Sequence, residues 1–279
     1  LSVLKILSLH SAVAYGRVGN SALTIPLAAV GCEVIPLNTT RLAHHPGYGP
    51  WCGRIEETQV LSEMVEALAN IGLFDRIDGL LSGYLGSGGN AEPVFSARRY
   101  LRRGAPWLCD PVIGDFDTGI YVQPDVISAI RDQLAPQADI MTPNAFELGI
   151  LTGMPTDTAE AALSAARSLI GGGPKVIAVT TAPVAADRTG VLLVSADSAT
   201  LMTTPVISVD VKGTGDLFAG HLLAGIISGM APADSCQAAI GRLYMALRLT
   251  EQLKADELMV LDPASNPALD LTMVERTTL

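Results

Sequence analysis

Aromatic residues are scarce in this chain, at 5% of its 279 residues, which argues against a surface on which single-stranded nucleic acid stacks. Basic residues are also few: 18 Lys and Arg stand against 28 Asp and Glu, for a formal net charge of −10. The densest basic stretch, Arg98-Arg99 and Arg102-Arg103, has helical spacing after an apolar run and reads as a solvated helix face, not a phosphate track, so no nucleic-acid partner is expected. A local positive potential still lets an acidic chain hold an anionic nucleotide, so net charge leaves that class open. No uninterrupted apolar run approaches the roughly 18 residues of a membrane span. The opening, Leu1 to Leu9, is short, carries Lys5 and lacks a small-residue cleavage site, so it reads as a first strand and not a signal peptide. The cysteines, Cys32, Cys52, Cys109 and Cys236, form no CxxC or Cys/His pattern, so reduced thiols in the cytoplasm are expected. Neither GxxxxGK[ST] nor a GxGxxG after the first strand occurs, which argues against a P-loop enzyme and a standard nicotinamide dehydrogenase.

What is present is apolar and evenly punctuated. Hydrophobic residues make up 49% of the chain, enough for a large core, and 27 glycines and 17 prolines are spread along it as turns between regular elements. The runs Val3-Leu9, Glu33-Leu37, Gly79-Ser82, Pro106-Cys109, Ile140-Thr142 and Val176-Thr180 read as strands, several apolar on both faces. Ser21-Val30, Glu56-Ile71, Glu92-Leu101, Pro124-Leu134 and Thr158-Ile170 read as helices. This alternation predicts an α/β, doubly wound fold with a mostly parallel sheet flanked by helices, as one domain over residues 1–279. Gly190-Val194 and Ala199-Thr203 suit an antiparallel hairpin, and helical patterns follow over Thr214-Gly229 and Pro232-Leu249. Asp262-Pro263 and Asn266-Pro267 punctuate a surface segment near the end.

The sharpest local feature runs from Asp210 to Gly220 and contains Gly213-Thr214-Gly215-Asp216. Its glycines permit a tight turn of inward-facing N–H groups at the start of a helix, an arrangement that holds a phosphoryl group. Asp216 then stands where it can accept a substrate hydroxyl proton. A second reading stays open on the same residues: a plain turn with Asp216 as a helix cap. Two more polar clusters follow strands. Asp110 comes directly after Pro106-Cys109, and Asn144 and Glu147 follow Ile140-Thr142 with spacing that shares a helical face. Carboxylate and amide oxygens at adjacent strand ends can hold a hydrated divalent cation beside a polyphosphate. Alternatively, Asp110 and Asn144 end strands and Glu147 makes a capping interaction.

Taken in order, these segments resemble the pyridoxal kinase family within the ribokinase-like superfamily. The likeness is carried by Ser11-Ala-Val-Ala-Tyr15-Gly16-Arg-Val-Gly19-Asn20-Ser21, Pro36-Leu-Asn-Thr39, Gly47-Tyr48-Gly49 with Trp51 and Gly53, and Ser82-Gly-Tyr84-Leu-Gly86-Ser87. Asp110-Pro-Val-Ile-Gly114, Thr142-Pro-Asn144-x-x-Glu147 and Gly213-Thr-Gly-Asp216 complete it, over residues 3 to about 250. Gly-Thr-Gly-Asp identifies only the superfamily, whereas the first two segments and Ser-Gly-Tyr-Leu-Gly-Ser point to the vitamin B6 kinases.

The resemblance implies ATP-dependent phosphorylation of the 5′-hydroxymethyl group of pyridoxal or a related vitamer. It assigns Ser11, Thr39 and Tyr84 to the substrate ring, and Gly213, Thr214 and Gly215 to an anion hole. Asp216 becomes the base. Asp110, Asn144, Glu147 and Thr181 go to the ATP side, with Asp110 and Glu147 near Mg²⁺. A homodimer is implied as well, and a monovalent cation is left open. Some residues depart from the family pattern. His10 and Ala12 stand where many relatives have glutamine and histidine, Arg17 replaces a frequent histidine, and His44-His45-Pro46 occupies a loop that often reads Ser-Asn-His-Thr. These changes touch the vitamin side and leave vitamer preference open. Two alternatives are a hydroxymethylpyrimidine kinase, in which cysteine often replaces the base, and a non-catalytic B6-binding protein. Cys109 beside Asp110 reads as an inert buried thiol, since phosphoryl transfer to an alcohol needs no enzyme nucleophile.

Overall fold

The computed structural model describes residues 3–260, 269 and 271–279. Six parallel strands form its centre: β1 (Leu4–Tyr15), β2 (Cys32–His44), β4 (Gly79–Ser82), β5 (Trp107–Cys109), β8 (Ile140–Met141) and β9 (Val176–Thr180). Antiparallel strands extend both edges: β3 (Gly53–Ile55) beside β2, and β10 (Arg188–Ser195), β11 (Ala199–Pro205) and β12 (Glu275–Thr278) beyond β9. The order across the sheet is β12-β11-β10-β9-β8-β5-β4-β1-β2-β3. A short separate ribbon pairs β6 (Gly114–Asp115) with β7 (Gly119–Ile120). The helices are α1 (Asn20–Ala29), α2 (Thr58–Asn70), α3 (Ala91–Tyr100), α4 (Pro124–Ala129), α5 (Ala145–Thr152), α6 (Ala159–Ile170), α7 (Thr214–Ile227) and α8 (Pro232–Leu253).

Strand alternation divides the core between the two faces of the sheet. Leu7, Leu9, Leu80, Trp107, Cys109, Met141 and Ile177 point to one side, against Leu61, Val94, Val126, Leu148 and Ala165 of α2 to α6. Ile6, Leu81, Leu108, Ile140 and Ala178 point to the other, against Leu23 and Leu27 of α1, Phe218 and Leu222 of α7, and Cys236 of α8. Each fully buried leucine or isoleucine contributes about 1.5–3 kcal/mol, so covering both faces explains why these strands read as continuous apolar runs. The predicted doubly wound α/β fold is therefore the observed one.

The position of β1 creates the functional crevice. The chain leaves β1 for β2 on one side, then crosses back to place β4 on the other, and such a switch opens a cleft at the carboxyl ends of the strands. β1 pairs with β4 only through Ile6–Leu9, while its pairing with β2 runs on to Tyr15. Beyond Leu9 one edge of β1 is thus open. At this level a bulge shifts the register, so that His10 faces Asn38 and Ser11 faces Thr40. Such bulges re-aim side chains beside sites.

Most elements lie where the pattern predicts them, with local differences. β1 and β2 run past their expected ends because they pair with each other over their whole length. The β6/β7 ribbon, β3 and β12 are too short or too polar to read from periodicity. The 190–203 hairpin forms as expected. The arginines near α3 are not simply solvated: Arg98 pairs with Asp139, Arg99 with Glu92 and Arg102 with Asp78. Asp262-Pro263 and Asn266-Pro267 lie outside the described residues. No helix among the described residues is long and apolar enough to cross a membrane.

Trp107 joins sheet to helix. Its fully buried indole donates from Nε1 to Ser82 Oγ at 2.9 Å and meets Phe95 of α3 edge-on at 6.0 Å. Trp107→Ala leaves a cavity under β4 and β5 and is expected to lower the unfolding free energy by about 3–5 kcal/mol in urea titration.

Candidate active site

The amino end of α7 is built by one close approach. Gly213 has φ +87°, and a Cβ there would lie 1.6 Å from the Arg17 carbonyl oxygen. Only glycine lets this turn press against the Tyr15–Gly19 loop. The next three amides, of Thr214, Gly215 and Asp216, begin the helix and find no acceptor among the described residues. They are free to hold an anion, with the helix dipole behind them.

Asp216 reaches across to β1 and to the loop that follows it. Its Oδ2 accepts the Gly19 N–H at 2.9 Å, and its Oδ1 lies 2.8 Å from His10 Nε2. Burial works to raise the proton affinity of this carboxyl. The His10 ring and then the Gly19 N–H outweigh it and hold the group below its usual 3.8. Asp216 is therefore ionised at neutral pH and able to accept a proton from an alcohol placed against it.

On the sheet side, Asp110 follows β5 and is buried, with Oδ1 accepting the Thr142 hydroxyl at 2.7 Å. Burial first, and then the charge of Asp216, push its carboxyl up to about 6. Glu147 is also buried and is committed to the backbone. Its Oε1 accepts the N–H groups of Ile113 (2.9 Å) and Gly114 (3.4 Å), and its Oε2 accepts that of Asn144 (2.9 Å). Asn144 Oδ1 in return accepts Glu147 N–H, a capping box that starts α5, while its Nδ2 donates to the Gly114 carbonyl. The capping alternative from the sequence is thus realised. Burial and then Asp110 push Glu147 up to about 8 despite those donors.

Two buried acids with raised proton affinity mark negative charge that the chain's own groups neutralise incompletely, which suits a divalent cation. Asp110 has an oxygen to offer it. Glu147, its oxygens already occupied, suits a contact through water.

The remaining predicted residues lie around this centre. Ser11, buried on β1, adjoins His10. Thr39 is fully buried on β2 and spends its hydroxyl on the Tyr84 carbonyl. Tyr84, half-buried just after β4, packs at the rim of the core. Thr181, exposed at the end of β9, holds φ +48°, a costly conformation for a β-branched residue that is often found at ligand sites. His44 and His45 surround Tyr48 near Tyr15 and join no cluster of metal-ligating groups among the described residues. All four cysteines are free, and burial pushes the Cys109 thiol up to about 12, in keeping with an inert group.

Sequence reasoning missed two participants. Thr142 stands inside a quoted motif without a role, and His10 registered only as a departure from the family pattern. Its signal was its place at the end of a buried strand, but its partner Asp216 is invisible without the fold.

Asp110 and Glu147 bind protons more tightly folded than unfolded, where they titrate near 3.8 and 4.5. Their stabilisation is fully present below those values and is lost as pH rises through about 6 and then about 8. Asp110→Asn removes the first loss. Urea unfolding in chelator should show this variant gaining on the wild type by on the order of 2 to 3 kcal/mol between pH 4 and pH 8.

Comparison with known proteins gives the family of the chain. Residues 55–260 fit the family described as phosphomethylpyrimidine kinase. A pyridoxal kinase of Deinococcus radiodurans is 36% identical over 267 residues, covering 91% of this chain and 90% of the relative. A pyridoxal kinase structure from Entamoeba histolytica superposes with a TM-score of 0.87 at 26% identity, covering 99% of this chain and 100% of that one. The Leishmania donovani pyridoxal kinase in complex with ADP and ginkgotoxin gives 0.87 at 26% identity, covering 99% of each chain. By sequence likeness along nearly its whole length and by a shared fold, the chain belongs to the pyridoxal kinase family of the ribokinase-like superfamily.

Proposed function

We propose that this chain, acting as one catalytic domain, transfers the γ-phosphoryl group of ATP to the 5′-hydroxymethyl oxygen of pyridoxal and related B6 vitamers. The observation that carries this reading is the Asp216 carboxylate, ionised and fixed at the first turn of α7 beside amides free to hold an anion. Its family supplies the substrates: relatives are pyridoxal kinases, and the Leishmania donovani enzyme has been seen with ADP together with pyridoxine or pyridoxamine.

The chain's own residues account for the chemistry. Asp216 takes the hydroxyl proton as the new O–P bond forms and the bond to the ADP oxygen breaks, the leaving electron pair staying with ADP. The amides of Thr214, Gly215 and Asp216 stabilise charge on the transferring group. Mg²⁺ held by Asp110, and through water by Glu147, would neutralise phosphate charge beside them. Asn144 keeps Glu147 in place, and the family likeness assigns Thr181, exposed at the end of β9, to the nucleotide side. Ser11 and Tyr84 contact the substrate ring, with Thr39 holding the Tyr84 backbone. The same likeness extends the reading to a cytoplasmic homodimer, which light scattering tests.

Two measurements decide the assignment. Asp216→Ala should lower kcat about 10²-fold or more with milder effects on KM, whereas near-normal turnover in a folded variant would remove its role. An ATP/Mg²⁺ assay across pyridoxal, pyridoxine, pyridoxamine and hydroxymethylpyrimidine should favour a B6 vitamer. Preference for the pyrimidine, the substrate type named by the matching family description, would move the substrate and keep the kinase. Binding without ATP consumption would leave a B6-binding protein.

A further inference from the structure

His10 is a buried histidine with a place in the site that the reaction outlined above leaves unused. It is 1% exposed, at the bulge where β1 loses its β4 partner. Its ring is seated by two glycines. A Cβ at Gly83 would fall 2.0 Å from the imidazole, and one at Gly19 would fall 2.9 Å from Nδ1. Nδ1 faces two backbone donors, Ser11 N–H at 2.9 Å and Tyr84 N–H at 3.3 Å. A nitrogen that accepts two N–H groups carries no proton of its own, so the single proton of the neutral ring sits on Nε2.

That proton decides between two readings of the cluster formed by His10, Asp110 and Asp216, whose ligating atoms lie within 4.8 Å of one another. A metal-bound histidine offers a bare nitrogen to the ion and usually donates its other N–H to an acceptor. Here the nitrogen facing the carboxylates carries the proton, and the other takes donors. The ring therefore turns a protonated nitrogen toward Asp216 and is a poor metal ligand. Nε2 and Oδ1 are 2.8 Å apart with the N–H out of line for a hydrogen bond, and catalytic hydrogen bonds commonly align only in the reacting complex.

We propose that His10 is the positioning residue of the general base: it takes its orientation from the backbone of the vitamer pocket, at Ser11 and Tyr84, and transmits it to the Asp216 carboxylate. With the Gly19 N–H on the other oxygen, His10 fixes the plane in which Asp216 meets the alcohol. This inference rests on the reading of Asp216 as base. Because the ring acts through Asp216, the group that meets the alcohol, its loss falls on kcat and leaves KM for ATP largely unmoved.

The test compares His10→Leu, which removes acceptor and donor, with His10→Gln, whose amide can supply both. Each is also made in an Asp216→Asn background, with thermal melting as the check on folding. His10→Leu should lower kcat about 10- to 100-fold, the loss expected for one charge-assisted hydrogen bond, with KM for ATP unchanged. His10→Gln should recover most of that turnover. In Asp216→Asn, His10→Leu should cost little further. Unchanged kcat in a folded His10→Leu, equal losses in the Leu and Gln variants, or a full multiplicative loss in the Asp216→Asn background would each overturn the inference. Near-normal turnover of Asp216→Asn alone would instead overturn the reading of Asp216, so the two failures are told apart.

Discussion

The contact of the Asp216 carboxylate with β1 and the loop that follows it organises the rest of the site. Gly19 and Asp216 are 197 residues apart, and the hydrogen bond between them closes the amino end of α7 onto the loop that leads into α1. Both elements must therefore stand on the same face of the sheet, and the core formed by Leu23, Leu27, Phe218 and Leu222 places them there. Gly213 is pressed against Arg17, so the two loops pack directly on each other. Asp216 is held by the fold and not by its own helix.

The sheet supplies the other half of the site by simple geometry. Each parallel strand ends at the same edge, so the residues just beyond it are delivered to the cleft: Tyr84 after β4, Asp110 after β5, Asn144 after β8 and Thr181 after β9. The bulge at His10 and the early end of β4 open the space between them. Architecture thus decides where polar residues gather, and local chemistry decides what each can do.

That chemistry is sorted by electrostatics. Three acids lie close together, and like charges in a buried site cannot all ionise at equal cost. Asp216, facing an imidazole and a backbone N–H, stays ionised, while Asp110 and Glu147 are pushed up to about 6 and about 8 by burial and by neighbouring carboxylates. The split separates a proton acceptor from groups suited to a cation, as phosphoryl transfer requires.

Periodicity alone determined most of the secondary structure, because strands buried on both faces and helices with one apolar stripe leave distinct patterns. The Gly213–Asp216 turn and the strand-end positions of Asp110 and Asn144 were legible for the same reason: glycine spacing and strand ends are local properties. Family-like segments around Ser11 and Tyr84 supplied the vitamin, which no periodicity carries. Tertiary structure alone decided the pairings. It gave Glu147 to the backbone of Ile113 and Gly114, gave Thr142 to Asp110, and set His10 against Asp216. These contacts depend on which strand ends adjoin after a crossover, a long-range consequence of packing two cores on one sheet that adjacent residues do not encode.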